Sequence, residues 1–253
     1  MVVSFENKVA LVTGGASGIG RATALAYGRA GARVVVADVQ VEAGRETARL
    51  IEAAGSEAFF IQVDVSKGGE VEEMVRQTIA AFGRLDMAHN NAGIEPVMAS
   101  IADSSETDWD RVVSINLKGI WLCLKHEIPP MLEQGGGAIV NTASVVGLLG
   151  QTNMASYVAS KHGVIGLTRA AALEYAAAGI RVNAVCPAIV ATPMLDRFTE
   201  GDAEVAAELT ADYPMKRLID PQEVADAVLW LSSDRASYLN GHALVLDGGF
   251  SIQ

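Results

Sequence analysis

The sequence is short of several things, and each shortage narrows what the chain can be. Only 19% of its 253 residues are charged while half are hydrophobic, the reverse of the disorder-prone balance. Positive charge is scarcer still: 19 Lys and Arg stand against 30 Asp and Glu, a formal charge of −11. Such a surface repels phosphate backbones and anionic lipid, so neither nucleic acid nor a membrane surface is expected as a partner. The two cysteines, Cys123 in IWLCLK and Cys186 in VNAVCP, have no CxxC or metal-type spacing and read as buried thiols. His89, His126, His162 and His242 share no metal spacing either, and no metal is expected. The first residues lack a basic start followed by a long apolar run, Glu6 and Lys8 interrupting them, and no segment reaches the ~20 apolar residues of a membrane helix. A folded chain in the reducing cytoplasm is the expectation.

Also missing is any Pro/Gly/Ser-rich linker, charge block or low-complexity tract. What is there instead is alternation. Short β-branched runs at 8–13, 33–38, 57–65, 84–90, 137–144, 180–187 and 242–249 recur between longer helical patterns. Seven strands with helices between them predict a parallel sheet, and strands that are apolar throughout predict that both its faces are covered, as in a doubly wound α/β fold. One domain over 1–253 is the simplest account. Asp220-Pro221-Gln222-Glu223 places a cap, a first-turn proline and a reciprocal acceptor ahead of Val224, Ala227, Val228 and Leu231 on one helical face. In 109–128, by contrast, Val112, Val113, Ile115, Leu117, Ile120, Trp121, Leu122 and Leu124 point nearly all round, and 154–178 is similarly poor in charge. Two helices hydrophobic on most faces predict a subunit interface, a dimer or homotetramer, through those segments.

After the first strand comes Thr13-Gly14-Gly15-Ala16-Ser17-Gly18-Ile19-Gly20, leading into a helix whose Ile19, Ala22 and Ala26 can face the sheet. Strand, glycine turn and helix N-terminus make an anion site for a pyrophosphate, with Gly20 allowing close helix–strand approach. Asp38 ends the second strand, where a carboxylate accepts both adenosine ribose hydroxyls and repels a 2′-phosphate. Ser17, Val39 and Gln40 bring no cation, and Arg33 lies at the far end of the strand, ~16 Å away. NAD(H) is therefore expected over NADP(H). Tyr157 and Lys161, four apart in a helical pattern, project from one face, and a cation held close favours phenolate. Ser144, at the end of the fifth strand, can place a hydroxyl beside that phenol.

Taken in order, Thr13–Gly20, Asn90-Asn91-Ala92-Gly93, Asn116, Ser144, Tyr157 and Lys161 resemble the short-chain dehydrogenase/reductase family over the whole chain, from Lys8 to Asp247-Gly248-Gly249. The resemblance implies a Rossmann-type sheet and an Asn-Ser-Tyr-Lys tetrad. In it Tyr157 is the acid/base, Lys161 holds the nicotinamide ribose and depresses the Tyr157 pKa, Ser144 bonds the substrate oxygen, and Asn116 positions a water linking Lys161 to solvent. It also implies that Gly14, Ser17, Gly18, Ile19 and Gly20 hold the pyrophosphate, Asp64 and Val65 the adenine, Asn91 the adenosine ribose, and Val190 and Thr192 the nicotinamide carboxamide. The chain departs from the pattern at Ala188, after Pro187, where glycine is usual. Gln253 resembles the terminus of members that bind magnesium between subunits.

The expected reaction is the interconversion of a secondary alcohol and a ketone. Residues 193–215, Met-, Glu- and Ala-rich, are expected to form a substrate lid. That stretch has little positive charge, so a small neutral or hydrophobic substrate is expected rather than a phosphate or carrier-linked thioester. Glu95 stands near the mouth as a possible polar contact or a solvated loop carboxylate, and Met154, Met194 and Met215 as pocket wall or packing. The rivals are a 3-oxoacyl-carrier-protein reductase, a glucose-type sugar dehydrogenase and, outside enzymes, an NAD(H)-sensing binding protein. The intact Ser144, Tyr157 and Lys161 speak against the last.

Overall fold

The structure, a computed structural model, describes residues 3–211 and 213–253, and for 203, 204, 206 and 207 the backbone alone; Met1, Val2 and Asp212 lie outside the described residues. Seven strands, β1 (Val9–Thr13), β2 (Arg33–Asp38), β3 (Ala58–Gln62), β4 (Met87–Asn90), β5 (Gly137–Thr142), β6 (Ile180–Pro187) and β7 (Ala243–Leu246), form one sheet in the order β3-β2-β1-β4-β5-β6-β7. Every pairing is parallel. All carboxyl ends therefore lie on one edge, and strand order reverses between β1 and β4, the place where such sheets open a crevice for ligands.

Side chains alternate across a strand, and both sets are apolar here. Leu11 packs with Val71 and Met74 of α3 (Gly68–Phe82), Ile120 of α5 (Gly119–Glu133) and Val164 of α6 (Ala155–Tyr175). Its neighbours Ala10 and Val12 pack on the opposite face with Tyr27 of α1 (Gly18–Arg29), Ile51 of α2 (Val41–Ala53) and Val228 of α9 (Pro221–Ser232). Each fully buried Val, Leu or Ile contributes ~1.5–3 kcal/mol, so the two cores explain why the strands are apolar throughout. The expected Rossmann-type, doubly wound sheet is present.

Several boundaries differ from the sequence reading, each for a local reason. The stretch 109–128 is three pieces, α4 (Glu106–Val113), a π-helical turn (Ser114–Lys118) and α5, which runs through Pro129 and Pro130. Burial of Ile128 and Met131 and the Gln134 amide, which donates to the Leu85 and Gly136 carbonyls at 2.5 and 2.9 Å, hold that last turn in spite of the missing amides. On α1 the buried stripe is Gly20, Thr23, Ala24 and Tyr27 with Ala26, while Ile19 and Ala22 are only partly covered. The Asp220 capping box is as expected: its carboxylate accepts from Gln222 N at 2.8 Å and Glu223 accepts from Asp220 N at 2.9 Å.

Candidate active site

At the end of β1 the backbone turns through Gly14 with φ of 67°, a region only glycine enters freely. A Cβ on Gly20 would stand 2.1 Å from the Gly14 carbonyl oxygen and 2.7 Å from Asn91 Nδ2, so α1 begins this close to the strands only because that position has no side chain. Ser17 is the extended N-cap of α1 and its hydroxyl makes no capping bond, leaving it and the first-turn amides for an anion. Ile19 is partly buried on the apolar side of the turn. A methyl on Gly18 would meet Thr192 Cγ2 at 3.0 Å, which puts Thr192 over the start of α1.

Asp38 is 8% exposed, and its two oxygens each take one backbone amide at 2.9 Å, from Ala16 and Gln40. Each oxygen keeps a second lone pair for a hydroxyl. Arg21 of α1 is spent on Thr47 Oγ1 and the Ala43 carbonyl at 2.9 Å each, and Arg33 stacks 5.1 Å from the Phe82 ring. Asp64 accepts from the Ser66 amide and hydroxyl at 3.0 and 2.7 Å; burial raises its pKa, but these bonds and Lys67 bring it below the usual carboxylate range. The Val65 side chain packs into the core, against Gly119, so only its backbone is left for a ligand. Asn91 and Ala92 donate their amides to Thr13 Oγ1 at 3.0 and 3.2 Å, and Asn91 Oδ1 accepts from Thr142 Oγ1 at 3.2 Å. Asn91 thereby ties the ends of β1, β4 and β5 together across the switch point. This cradle of glycines, free amides and a recessed carboxylate fits a dinucleotide.

Ser144, Tyr157 and Lys161 converge beside it. Ser144 leaves the end of β5 and bonds the Tyr157 hydroxyl through its side chain. Lys161, buried on the same face of α6, donates to the Thr142 carbonyl at 2.9 Å and lies 5.4 Å from the Tyr157 ring centroid. A methyl on Gly93 would come 3.3 Å from Asn116 Oδ1 and 3.7 Å from Lys161 Nζ, so these two groups border the same small space. Asn116 reaches it because it sits in the π-turn, which widens the helix by one residue. Its amide is locked on Ile94, accepting from the nitrogen at 2.8 Å and donating to the oxygen at 2.9 Å. Burial pushes the phenol up to about 12 against the pull of Ser144, with Glu95 adding to the rise, and pushes the Lys161 ammonium down to about 8. Burial is the largest influence on the phenol, and the Lys161 ammonium is bonded to the Thr142 carbonyl.

At the mouth, Thr192 Oγ1 donates to the Val190 carbonyl at 3.3 Å, and the loop 188–191 is pinned by Ile219, whose carbonyl takes Ala191 N at 2.9 Å. Ala188 is not among the residues with positive φ, so its methyl costs no backbone strain. The expected lid 193–215 contains α7 (Pro193–Phe198) and α8 (Ala203–Thr210), while its Asp212 is outside the described residues. Glu95 is not a free carboxylate: Arg197 of α7 grips both its oxygens at 2.6 and 3.1 Å. Met154 caps the start of α6 and pairs with Ala99, Met194 is partly buried, and Met215 is exposed beside Gly248. Gln253 donates to the Phe250 carbonyl at 3.3 Å.

Behind the site lies a polar layer that sequence reasoning missed. His89 Nε2 meets Thr142 Oγ1 at 2.9 Å, and burial pushes the ring down to about 3. Asn90 Nδ2 donates to Glu127 Oε2 and Asn141 Oδ1 at 3.0 and 3.1 Å, and Asn141 donates to Thr168 at 3.0 Å. Burial pushes Glu127 up to about 7. The signal available was a carboxylate, Glu127, inside the otherwise apolar face of 119–133. Cys123 and Cys186 are free and buried; Cys186 stands behind the tetrad, taking the Ser144 amide and facing Lys161. Among the described residues no cluster of three or more His, Cys, Asp or Glu could hold a metal, and no helix is long and apolar enough to cross a membrane.

The chain is similar to known proteins over nearly its whole length. A family model described as enoyl-(acyl carrier protein) reductase matches residues 14–251. A short chain dehydrogenase/reductase of Aspergillus oryzae is 44% identical over 98% of this chain and 97% of its own. The cyclohexanol dehydrogenase of an Acinetobacter species is 43% identical, covering 98% and 96%. Among solved structures, levodione reductase superposes with a TM-score of 0.96 at 40% identity, over 98% of this chain and 99% of that one. With the tetrad-like convergence and the glycine cradle already in place, the chain belongs to the short-chain dehydrogenase/reductase family and is an oxidoreductase of that family.

Proposed function

We propose that this chain interconverts a secondary alcohol and its ketone with NAD(H), on a substrate that is small and neutral or hydrophobic. The observation that carries the reading is the convergence of Ser144, Tyr157 and Lys161 beside the glycine cradle. NAD(H), when bound, supplies or takes up the hydride. The chain's own groups do the rest. The phenol of Tyr157, up at about 12, holds its proton at neutral pH and can give it to a carbonyl oxygen. Alcohol oxidation needs the phenolate, so its rate should rise with pH while reduction is favoured below. Ser144 supports the developing negative charge on that oxygen, and Lys161, at about 8, still carries its charge at neutral pH and can hold a ribose hydroxyl. Asn116 closes the other side of the Lys161 space.

The cofactor shell follows the cradle: Gly14, Ser17, Gly18, Ile19 and Gly20 at the pyrophosphate, Asp38 and Asn91 at the adenosine ribose, Asp64 and the Val65 backbone at the adenine, Val190 and Thr192 at the carboxamide. Asp38, recessed and with no uncommitted cation beside it, supports NAD(H) over NADP(H). The substrate reading draws on the relatives named for cyclohexanol and levodione, and on the mouth itself. Arg197 is bound to Glu95, Lys216 to the Ala211 carbonyl and Arg217 to Glu223 at 2.7 Å, which leaves those cations committed and speaks against a carrier-linked thioester. The Glu95 pairing likewise weakens the sugar-dehydrogenase reading.

We also read 1–253 as one cytoplasmic unit with 193–215 as its lid, working as a dimer or tetramer. Trp121 is 45% exposed, and with Val113, Leu117 and Leu167 it lines an apolar groove between α4–α5 and α6, the face expected to meet another subunit. The direct test is Tyr157→Phe, assayed at the nicotinamide absorbance with a panel of aliphatic and cyclic alcohols, sugars and acyl thioesters. A loss of ~10²–10⁴ in kcat with NADH affinity unchanged is expected; retained activity would overturn the assignment. NADH binding with no turnover of any panel member would favour the sensor.

A further inference from the structure

His89 sits near the end of β4, in register with Val12 of β1 and Val140 of β5, and is fully buried. Alternation along the strand puts it on the same face as Met87, in the apolar layer that holds Val12 and Val140. That layer does not satisfy an imidazole. Its Nδ1 has no partner, and an orphaned buried nitrogen costs stability that an apolar side chain in its place would not. The ring's polar contact is Nε2 with Thr142 Oγ1 at 2.9 Å.

The direction of the hydrogen bonds beyond it is fixed from the other end. Asn91 Nδ2 faces the Thr13 and Gly14 carbonyls at 3.3 and 3.5 Å, so this end of the amide is the NH2 group and the other end, Oδ1, accepts. Its donor is Thr142 Oγ1 at 3.2 Å. With its one proton used there, the threonine hydroxyl accepts from His89, which places a ring proton on Nε2. Burial pushes the ring down to about 3, so at neutral pH it is uncharged, carries that proton alone and leaves Nδ1 bare. The donors therefore run one way, from His89 through Thr142 and Asn91 to the carbonyls of the glycine turn. The series ends in a tight place: a Cβ on Gly14 or on Gly20 would stand 2.8 or 2.7 Å from Asn91 Nδ2, so the amide fills the space under the turn. The two bonds from Asn91 to the carbonyls are long, and by themselves they hold the amide weakly.

We propose that His89 is a positioning residue for the dinucleotide: by donating to Thr142 it keeps that hydroxyl aimed at Asn91, and so holds the Asn91 amide in place beneath the glycine turn. The inference rests on the reading that the cradle holds NAD(H). His89 itself touches neither cofactor nor substrate in this role. Thr142 serves the two halves of the site through different atoms. Its hydroxyl belongs to the cofactor half, whereas its carbonyl, which accepts from Lys161 at 2.9 Å, is held by the pairing of β5 with β6. Loss of the His89 donor should therefore weaken the dinucleotide and leave the chemical step in place.

The test compares His89→Leu with His89→Gln, because glutamine can place an N–H where Nε2 stands and leucine cannot. NADH is titrated by its fluorescence, and kcat and the KM for NAD are measured with the best alcohol in the panel. His89→Leu should raise the NADH Kd and the KM for NAD about three- to tenfold, the loss of one hydrogen bond, with kcat within about twofold of the parent. Its thermal midpoint should be no lower than the parent's, since the orphaned nitrogen is gone. His89→Gln should recover most of the affinity. Thr142→Val should weaken NADH at least as much as His89→Leu, and adding His89→Leu to it should change nothing further. In the cofactor-free parent, the ring nitrogen NMR resonances of His89, assigned by their loss in His89→Gln, should be those of a neutral ring protonated at Nε2. A ring that is charged or protonated at Nδ1 would overturn the proposal without any variant, because Thr142 would then not receive its proton in this way. Equal NADH affinities for the leucine and glutamine variants would overturn it too, as would a loss confined to kcat. A parent that binds no NADH sinks the cofactor reading and this proposal together; a parent that binds it, with His89→Leu binding equally well, sinks the proposal alone.

Discussion

From β1 to β3 the site is made of backbone: the glycine turn, the amides at the start of α1, and a carboxylate that ends its own strand and binds the amides of Ala16 and Gln40. From β4 to α7 it is made of side chains brought together by the fold, the Asn116 amide on the Ile94 backbone, Ser144 with Tyr157, Glu95 with Arg197. The first half tolerates no added atom but needs few particular side chains. The second half accepts variation in backbone, as Ala188 shows, but depends on which groups face one another in a buried and low-dielectric space.

The sharpest way to break that contrast is Gly20→Ala. The added methyl meets a backbone carbonyl at 2.1 Å, which cannot swing aside, so the cost should reach or exceed the upper end of the ~1–3 kcal/mol range for overpacking. Thermal unfolding and NADH titration would both register it. If the variant binds NADH normally, the cradle is not held by close approach.

Glu127→Gln probes the side-chain half. Burial raises the Glu127 pKa to about 7 from the ordinary 4.5, so the folded chain keeps a proton there that the unfolded chain has lost. Stability therefore falls as pH rises from about 4.5 to about 7, and that loss persists above. Glutamine removes the titration and offers an N–H where Asn90 Oδ1 has no partner. The variant should gain on the parent across that window, by roughly 3 kcal/mol at neutral pH, read from denaturant unfolding at several pH values. A constant gap between the two proteins from pH 4 to 8 would show that Glu127 does not titrate there.

Asp38→Ala returns to the backbone half with a smaller effect. Hydrogen bonds to a charged group carry ~1.5–3 kcal/mol, so kcat/KM with NAD should fall about tenfold or more while NADP improves relative to it. An unchanged preference between the two would remove Asp38 from the ribose.

Legibility in the sequence follows the same division. The seven strands, the capping box at Asp220 and the glycine turn were readable because each rests on neighbours within a few residues. Tyr157 and Lys161 were readable as one face of a helix for the same reason. The π-turn that aims Asn116 was not, because nothing in Ser114–Lys118 differs from a helical pattern; it forms where Asn116 meets the backbone of Ile94. The helix runs past 128 through Pro129 and Pro130, where Ile128 and Met131 are buried. Glu95 was visible as a carboxylate near the mouth, but not that Arg197, about a hundred residues on, would bind it.

By itself, then, the sequence determined the sheet, the glycine turn before the first helix and the pairing of Tyr157 with Lys161 on one helical face, because periodicity, turn chemistry and strand-end residues act over short range. Only the tertiary structure decided how those side chains are charged. The proton affinities of Tyr157, Lys161 and Glu127 are set by burial, and the counter-charge on Glu95 by a helix from the far end of the fold. Desolvation and long-range pairing exist only once distant segments have packed.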